Sequence, residues 1–170
     1  MKNTIFTGAG VAIITPMLQD GSVDFEGLKK LIDFQVDNGT DAIIICGTTG
    51  ESSTLSDEEH RDCIRCAVEH THNRIPVIAG TGSNDTKYAI ELSREAQELG
   101  ASYVTAGHIY ATDCKKGLQP RGLDFLRQVC AAVDLPVYAI GGIKFDETQW
   151  MSLKECGAAG GCIMSGMMKA

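Results

Sequence analysis

Four stretches of this chain gather residue types that can hold anions or move protons. "GHIYATDCKKG" at 107–117 places His108 at the end of an apolar run and follows it with a lysine-bearing loop. An imidazole of ordinary pKa suits proton transfer near neutral pH; the plain alternative is a histidine packed at a strand end. "IGG" at 140–142 and "MSG" at 164–166 are glycine turns, where backbone N–H groups can approach phosphate oxygens. Such glycines also serve simply to turn the chain. "CGTTGES" at 46–52 is the fourth, a loop with amides suited to a carboxylate. Lys144, in "GGIK", would be a nucleophile only if desolvated, and the solvated-loop reading is preferred. His60, Cys63, Cys66 and His70 have ligand chemistry but share one helical segment, which cannot surround a tetrahedral zinc. No metal and no cofactor are expected.

The elements that must position these groups read as an alternation. Short apolar runs fall at 10–16, 41–47, 75–82, 101–110, 135–143 and 160–167, each continuous enough for a parallel strand buried on both faces. Amphipathic segments separate them. "SDEEHRDCIRCAVEHTH" opens with Ser56 and Glu59 at capping-box spacing, and Gly39 and Gly100 stand where helices should end. The expectation is six strands and five helices in one domain spanning 1–170. Right-handed βα crossovers then allow a closed barrel or an open doubly wound sheet. A full (βα)8 barrel needs eight strands and about 200 residues or more. The fold class is therefore α/β: a TIM-barrel-derived protein of about six parallel strands, forming a small, incomplete or oligomer-completed barrel. The alternative is an open flavodoxin-like sheet.

Composition narrows the partners. A net charge of −7 with no basic run argues against nucleic acid and anionic membranes. No stretch approaches the roughly 18–20 apolar residues of a membrane span. Seven cysteines without a dense framework read as reduced thiols, pointing to the cytoplasm. Open strand edges or uncovered helix faces predict a homo-oligomer.

Residues 5–100, through "FTGAGVAIITP", "CGTTGESSTLSDEEH" and "RIPVIAGTGSNDTKYAIELSREAQELGA", resemble the dihydrodipicolinate synthase family of class I aldolase-like barrels. The resemblance implies the first three βα units of a TIM barrel. It makes Thr48 and Thr49 the paired threonines that relay protons with a tyrosine, while a lysine holds pyruvate as a Schiff base. The strands carrying that lysine and tyrosine have no counterpart here. From about residue 99, "LGASYVTAGHIYATDCKKGLQPRGLDFLRQVCAAVDLPVYAIGGI" and "CGAAGGCIMSGM" resemble thiazole tautomerase and thiamine phosphate synthase, as the last three strands of that barrel. That resemblance implies a thiazole phosphate cradled by Gly141, Gly142, Ser165 and Gly166, with His108 as proton shuttle. Thr112 and Lys115 match pyrophosphate contacts of the synthase branch, whereas Cys114 stands where that branch has a threonine.

Together the two resemblances imply a chimera, engineered, generated or naturally recombined. Three functions follow as expectations. The first is a scaffold that at most binds phosphate, sulfate or a phosphate-bearing small molecule at its C-terminal loops. The second is a thiazole tautomerase or thiamine phosphate synthase-like enzyme. The third is a pyruvate-dependent lyase. Missing strands imply weak or absent catalysis in either enzyme.

Overall fold

The computed structural model describes residues 4–164 and 166. Six strands alternate with five helices: β1 Gly10–Ala12, α1 Phe25–Asp37, β2 Ala42–Ile45, α2 Asp57–Thr71, β3 Val77–Gly80, α3 Thr86–Glu98, β4 Tyr103–Gly107, α4 Gly122–Ala132, β5 Val137–Ile140, α5 Glu147–Glu155 and β6 Gly160–Cys162. A single 3-10 turn, Asp113–Lys115, interrupts the loop after β4. The chain forms two units, Met1–Gly80 with Glu95–Ser102, and Thr81–Arg94 with Tyr103–Ala170.

In the first unit β2 pairs in parallel with both neighbours, Val11 facing Ile43 and Ile43 facing Val77. A flavodoxin-like order would put β1 between β2 and β3. The consecutive order is that of a barrel, so the open-sheet alternative does not apply. The repeat is that of an incomplete (βα)8 barrel. The core is built from Ile43 and Ile45 of β2, Leu28 and Ile32 of α1, and Ile64 and Ala67 of α2, all fully buried. Local chemistry sets the helix starts. Asp24 caps α1 by accepting from the Gly27 amide at 2.8 Å. Ser56 and Glu59 form the reciprocal capping box of α2 that their spacing predicts. The buried face of α2 carries His60, Cys63, Ile64, Ala67 and Thr71, with Cys66 half-buried beside it.

In the second unit β4, β5 and β6 are parallel, with Thr105 opposite Tyr138 and Tyr138 opposite Gly160. The other faces of β4 and β5, through Val104, Ala106, Val137 and Ala139, are buried, as are Phe125, Leu126 and Val129 of α4. Tyr103 and Tyr138 pack with ring centroids 4.7 Å apart. Burial pushes the Tyr103 phenol above its ordinary pKa. Asp146 caps α5 through the Gln149 amide at 2.8 Å. Arg121 fastens the start of α3 by donating to the Asn84 carbonyl and to Thr86 Oγ1. No helix among the described residues is long and apolar enough to cross a membrane.

Candidate functional site

The loop after β2 is built to face outward. β2 is followed at once by Cys46, whose φ of 53° lies in the left-handed region, and Glu51 repeats this at 54°. Non-glycine residues there cost on the order of 1–3 kcal/mol and persist only where surroundings impose them. Between them the chain folds on itself: the Gly50 and Ser52 amides donate to the Gly47 carbonyl, and the Glu51 amide donates to the Thr48 carbonyl. Thr15, 4% exposed, clamps the loop from below by donating its hydroxyl to the Gly50 carbonyl at 2.8 Å. Gly50 is buried and admits no side chain easily, since a Cβ would stand 3.2 Å from both the Ile13 carbonyl and Thr15 Oγ1. Thr48 and Thr49 are exposed, and among the described residues their amides donate to no protein acceptor. The loop therefore presents two hydroxyls and two backbone donors at the carboxyl end of a strand. That set can hold a carboxylate.

Behind the loop, His60 Nε2 lies 3.0 Å from the Gly80 carbonyl. A carbonyl only accepts, so Nε2 carries the proton and Nδ1 is left as a buried lone pair without a partner. Burial lowers the His60 pKa, opposed in part by the bond to Gly80.

The predicted residues of the second unit are arranged differently. His108 is 5% exposed, not presented to solvent, and its Nε2 has no hydrogen-bond partner. Gly141 and Gly142 have φ of 90° and 71°. A Cβ on Gly141 would lie 2.3 Å from the His108 Cβ, and one on Gly142 would lie 2.6 Å from the Ala111 carbonyl oxygen. The loop after β4 thus rests directly on the loop after β5, joined by the Ile109 amide donating to the Ile140 carbonyl and Tyr110 to Gly141. Both glycines are required by this contact, whatever else they hold. Thr112 uses its hydroxyl to cap the 3-10 turn through the Cys114 amide, and Lys115 is exposed within that turn. Gly166 is exposed, and Ser165 lies outside the described residues. Lys144 is exposed, with its amide donating to Gln149 Oε1 at 2.9 Å.

Two participants were missed in the sequence. Thr15 carries a weak signal, a hydroxyl just before a proline at the end of an apolar run. Cys46 carries none, because nothing in its neighbours announces a left-handed cysteine. Among the described residues no three His, Cys, Asp or Glu side chains gather to hold a metal ion.

The model of the dihydrodipicolinate synthetase family matches residues 5–146. The 4-hydroxy-tetrahydrodipicolinate synthase of Lachnoclostridium phytofermentans is 55% identical over 134 residues, covering 78% of this chain and 44% of its own length. That of Geobacter sulfurreducens is 57% identical over 100 residues, 59% of this chain and 34% of its own. Among solved structures, dihydrodipicolinate synthase from Aquifex aeolicus superposes with a TM-score of 0.78 at 38% identity, covering 96% of this chain and 57% of that one. The chloride-inhibited enzyme from Acinetobacter baumannii, solved with pyruvate, gives 0.80 at 37% identity with the same coverage. The chain spans less than half the length of these curated relatives. The family match also runs past residue 99, where the second resemblance begins, and no relative named here supports a change of family at that point.

Proposed function

The chain belongs to the dihydrodipicolinate synthetase family, and from that premise we propose a pyruvate-dependent lyase function to which this chain contributes the loop that holds the substrate carboxylate. One observation carries the reading: Thr48 and Thr49 stand exposed, with unengaged amides, on a loop held in a strained form by Thr15. A carboxylate accepts several hydrogen bonds at once, and donors fixed before binding cost little to order. Pyruvate is the first candidate because it occupies the Acinetobacter baumannii relative. No lysine is assigned the covalent step, since Lys144 is exposed and engaged only through its backbone.

The test is a 15N-resolved titration with pyruvate. Shifts centred on the Thr48 and Thr49 amides, lost in Thr48→Val/Thr49→Val, are the expected result. A titration in which those two amides do not move would overturn the reading. Borohydride reduction in the presence of pyruvate checks the covalent step separately. An adduct of one reduced pyruvate would locate a Schiff-base lysine in this chain.

A second reading concerns the other unit. The unpartnered Nε2 of the buried His108 beside Gly141 and Gly142 favours a polar ligand group there, with a phosphate-bearing molecule held by those glycines and by Gly166, Thr112 and Lys115. Phosphate titration that shifts the Gly141 and Gly142 amides supports this reading, and unmoved amides end it. Self-association belongs to the proposal as well. Ile14 and Leu18, 55% and 51% exposed, leave an apolar stretch after β1. Light scattering should return a mass above that of one chain.

A further inference from the structure

Two groups of α2 meet the root of the threonine loop from behind. The His60 ring, 4% exposed, donates from Nε2 to the Gly80 carbonyl at 3.0 Å. The His60 carbonyl in turn accepts from the Cys46 thiol, 3.8 Å from sulfur to oxygen. Gly80 closes the circuit. A Cβ on it would stand 2.2 Å from the Cys46 carbonyl oxygen and 2.9 Å from the Gly47 nitrogen. Cys46 is the left-handed residue at which the loop begins, and such a residue keeps that form only where its surroundings impose it. Thr15 clamps the far end of the loop at Gly50, and that bond does not reach the root.

We propose that His60 is the positioning residue of the carboxylate loop: with Nε2–H fixed on Gly80, its neutral ring pins the left-handed start from which Thr48 and Thr49 turn outward, so that acid releases the loop. This role rests on the carboxylate reading of the two threonines, although the pinning itself needs no ligand.

The tautomer accounts for the sensitivity to acid. Nδ1 has no partner among the described residues. A proton there would bury a charge and a donor without an acceptor, and the ring escapes that only by leaving its site. Leaving breaks the bond to Gly80. The charged groups around the ring are Asp57 and Arg61 of α2 and Glu95 of α3, with Arg61 and Glu95 paired to each other. Burial outweighs the Gly80 bond and the two carboxylates, so the native ring takes up its proton below the ordinary 6.5. The neutral ring should therefore hold the loop at neutral pH and lose it as pH falls through the lower native value.

The whole chain, labelled with 15N, tests this first without ligand. Long-range spectra of the ring should show a proton on Nε2 and none on Nδ1 at about pH 7. The Gly50 and Glu51 amides close the loop on the Gly47 and Thr48 carbonyls. His60→Leu removes the ring donor and should speed hydrogen exchange at those two amides about tenfold. His60→Gln can donate at a similar reach and does not titrate, so it should restore exchange close to the parent's. A proton on Nδ1, or exchange in His60→Leu equal to the parent's, overturns the positioning role.

Pyruvate then separates this role from the reading on which it rests. Parent binding, followed at the Thr48 and Thr49 amides, should weaken between about pH 7 and pH 5, while binding by His60→Gln stays level. Profiles that fall alike in both proteins overturn the role of His60. Pyruvate that moves neither amide, in a protein whose ligand-free loop obeys His60, sinks the carboxylate reading and keeps the pinning. Should His60→Leu fail to fold, the ring tautomer and the His60→Gln profile decide the matter.

Discussion

Two glycine-rich regions that look alike as sequence use their backbones in opposite ways. In the loop after β2, Gly50 lets the chain bury one edge on Thr15 and turn the threonines outward. In the loops after β4 and β5, Gly141 and Gly142 let one loop sit on the other and bury His108 between them. The first arrangement leaves donors free. The second packs one loop against the other and leaves one buried ring nitrogen unmet. A glycine pair therefore signals close approach, and only the structure says whether a ligand or another loop approaches.

The largest effect that tests this contrast is expected from Gly141→Ala. The new methyl would stand 2.3 Å from the His108 Cβ, on a residue with φ of 90°. Left-handed strain and overpacking together should cost about 3 kcal/mol. Gly117→Ala is the control: its φ is 79°, yet nothing lies within 4 Å of the new methyl. Only the strain remains there, about 1 kcal/mol. Urea denaturation of both variants measures the difference, and equal losses would mean the loops do not pack as described.

Thr15→Val probes the other loop with a smaller expected effect. Valine keeps the volume and removes the hydroxyl, leaving the Gly50 carbonyl without its 2.8 Å donor. An unmet buried acceptor costs about 1–3 kcal/mol, so a lowered urea midpoint with unchanged slope is expected. The same variant should weaken pyruvate binding by freeing the loop. A variant as stable as the parent would show that the loop holds its shape without the clamp.

The alternation of strands and helices was legible because each apolar run is bounded by turn residues and each helix start has its own chemistry, Ser56 with Glu59 above all. Strand ends were less legible. The run 101–110 reads as one strand, yet β4 stops at Gly107, after which the chain bends onto the loop following β5. Periodicity registers apolar residues, and Ile109 is as buried as a strand residue while lying outside the ladder. Thr48 and Thr49 were legible through family resemblance. The Thr15–Gly50 bond was not, because it joins residues far apart in the chain that no local pattern relates. His108 shows its chemistry in the sequence, but its burial against Gly141 joins residues 33 positions apart.

His60 extends the comparison to pH. Its ring is 4% exposed behind the first loop, and burial holds its pKa below the ordinary value of 6.5. As pH falls through about 6.5 the unfolded chain takes up a proton that the native chain refuses, so stability declines. The contribution is fully present above that pH and is lost progressively down to the lower native pKa. Subtracting the pH dependence of His60→Gln from that of the parent isolates this slope. Other carboxylates of the unit, such as Asp33 and Glu59, have pKa values lowered by their hydrogen bonds and act at more acid pH. A difference curve that is flat between pH 7 and pH 5 would mean that His60 is reached by water.

The smallest stability change is expected where the largest functional one is proposed. Thr48 and Thr49 are exposed and among the described residues their hydroxyls have no bonding partner, so Thr48→Val/Thr49→Val should alter stability by less than about 0.5 kcal/mol. The strained residues on either side are held by backbone bonds and by Thr15, which the double variant leaves in place. Loss of pyruvate-induced shifts at unchanged stability would separate binding from folding. A destabilised double variant would instead show that the threonines help to hold the loop, and the two glycine-rich regions would then differ only in degree.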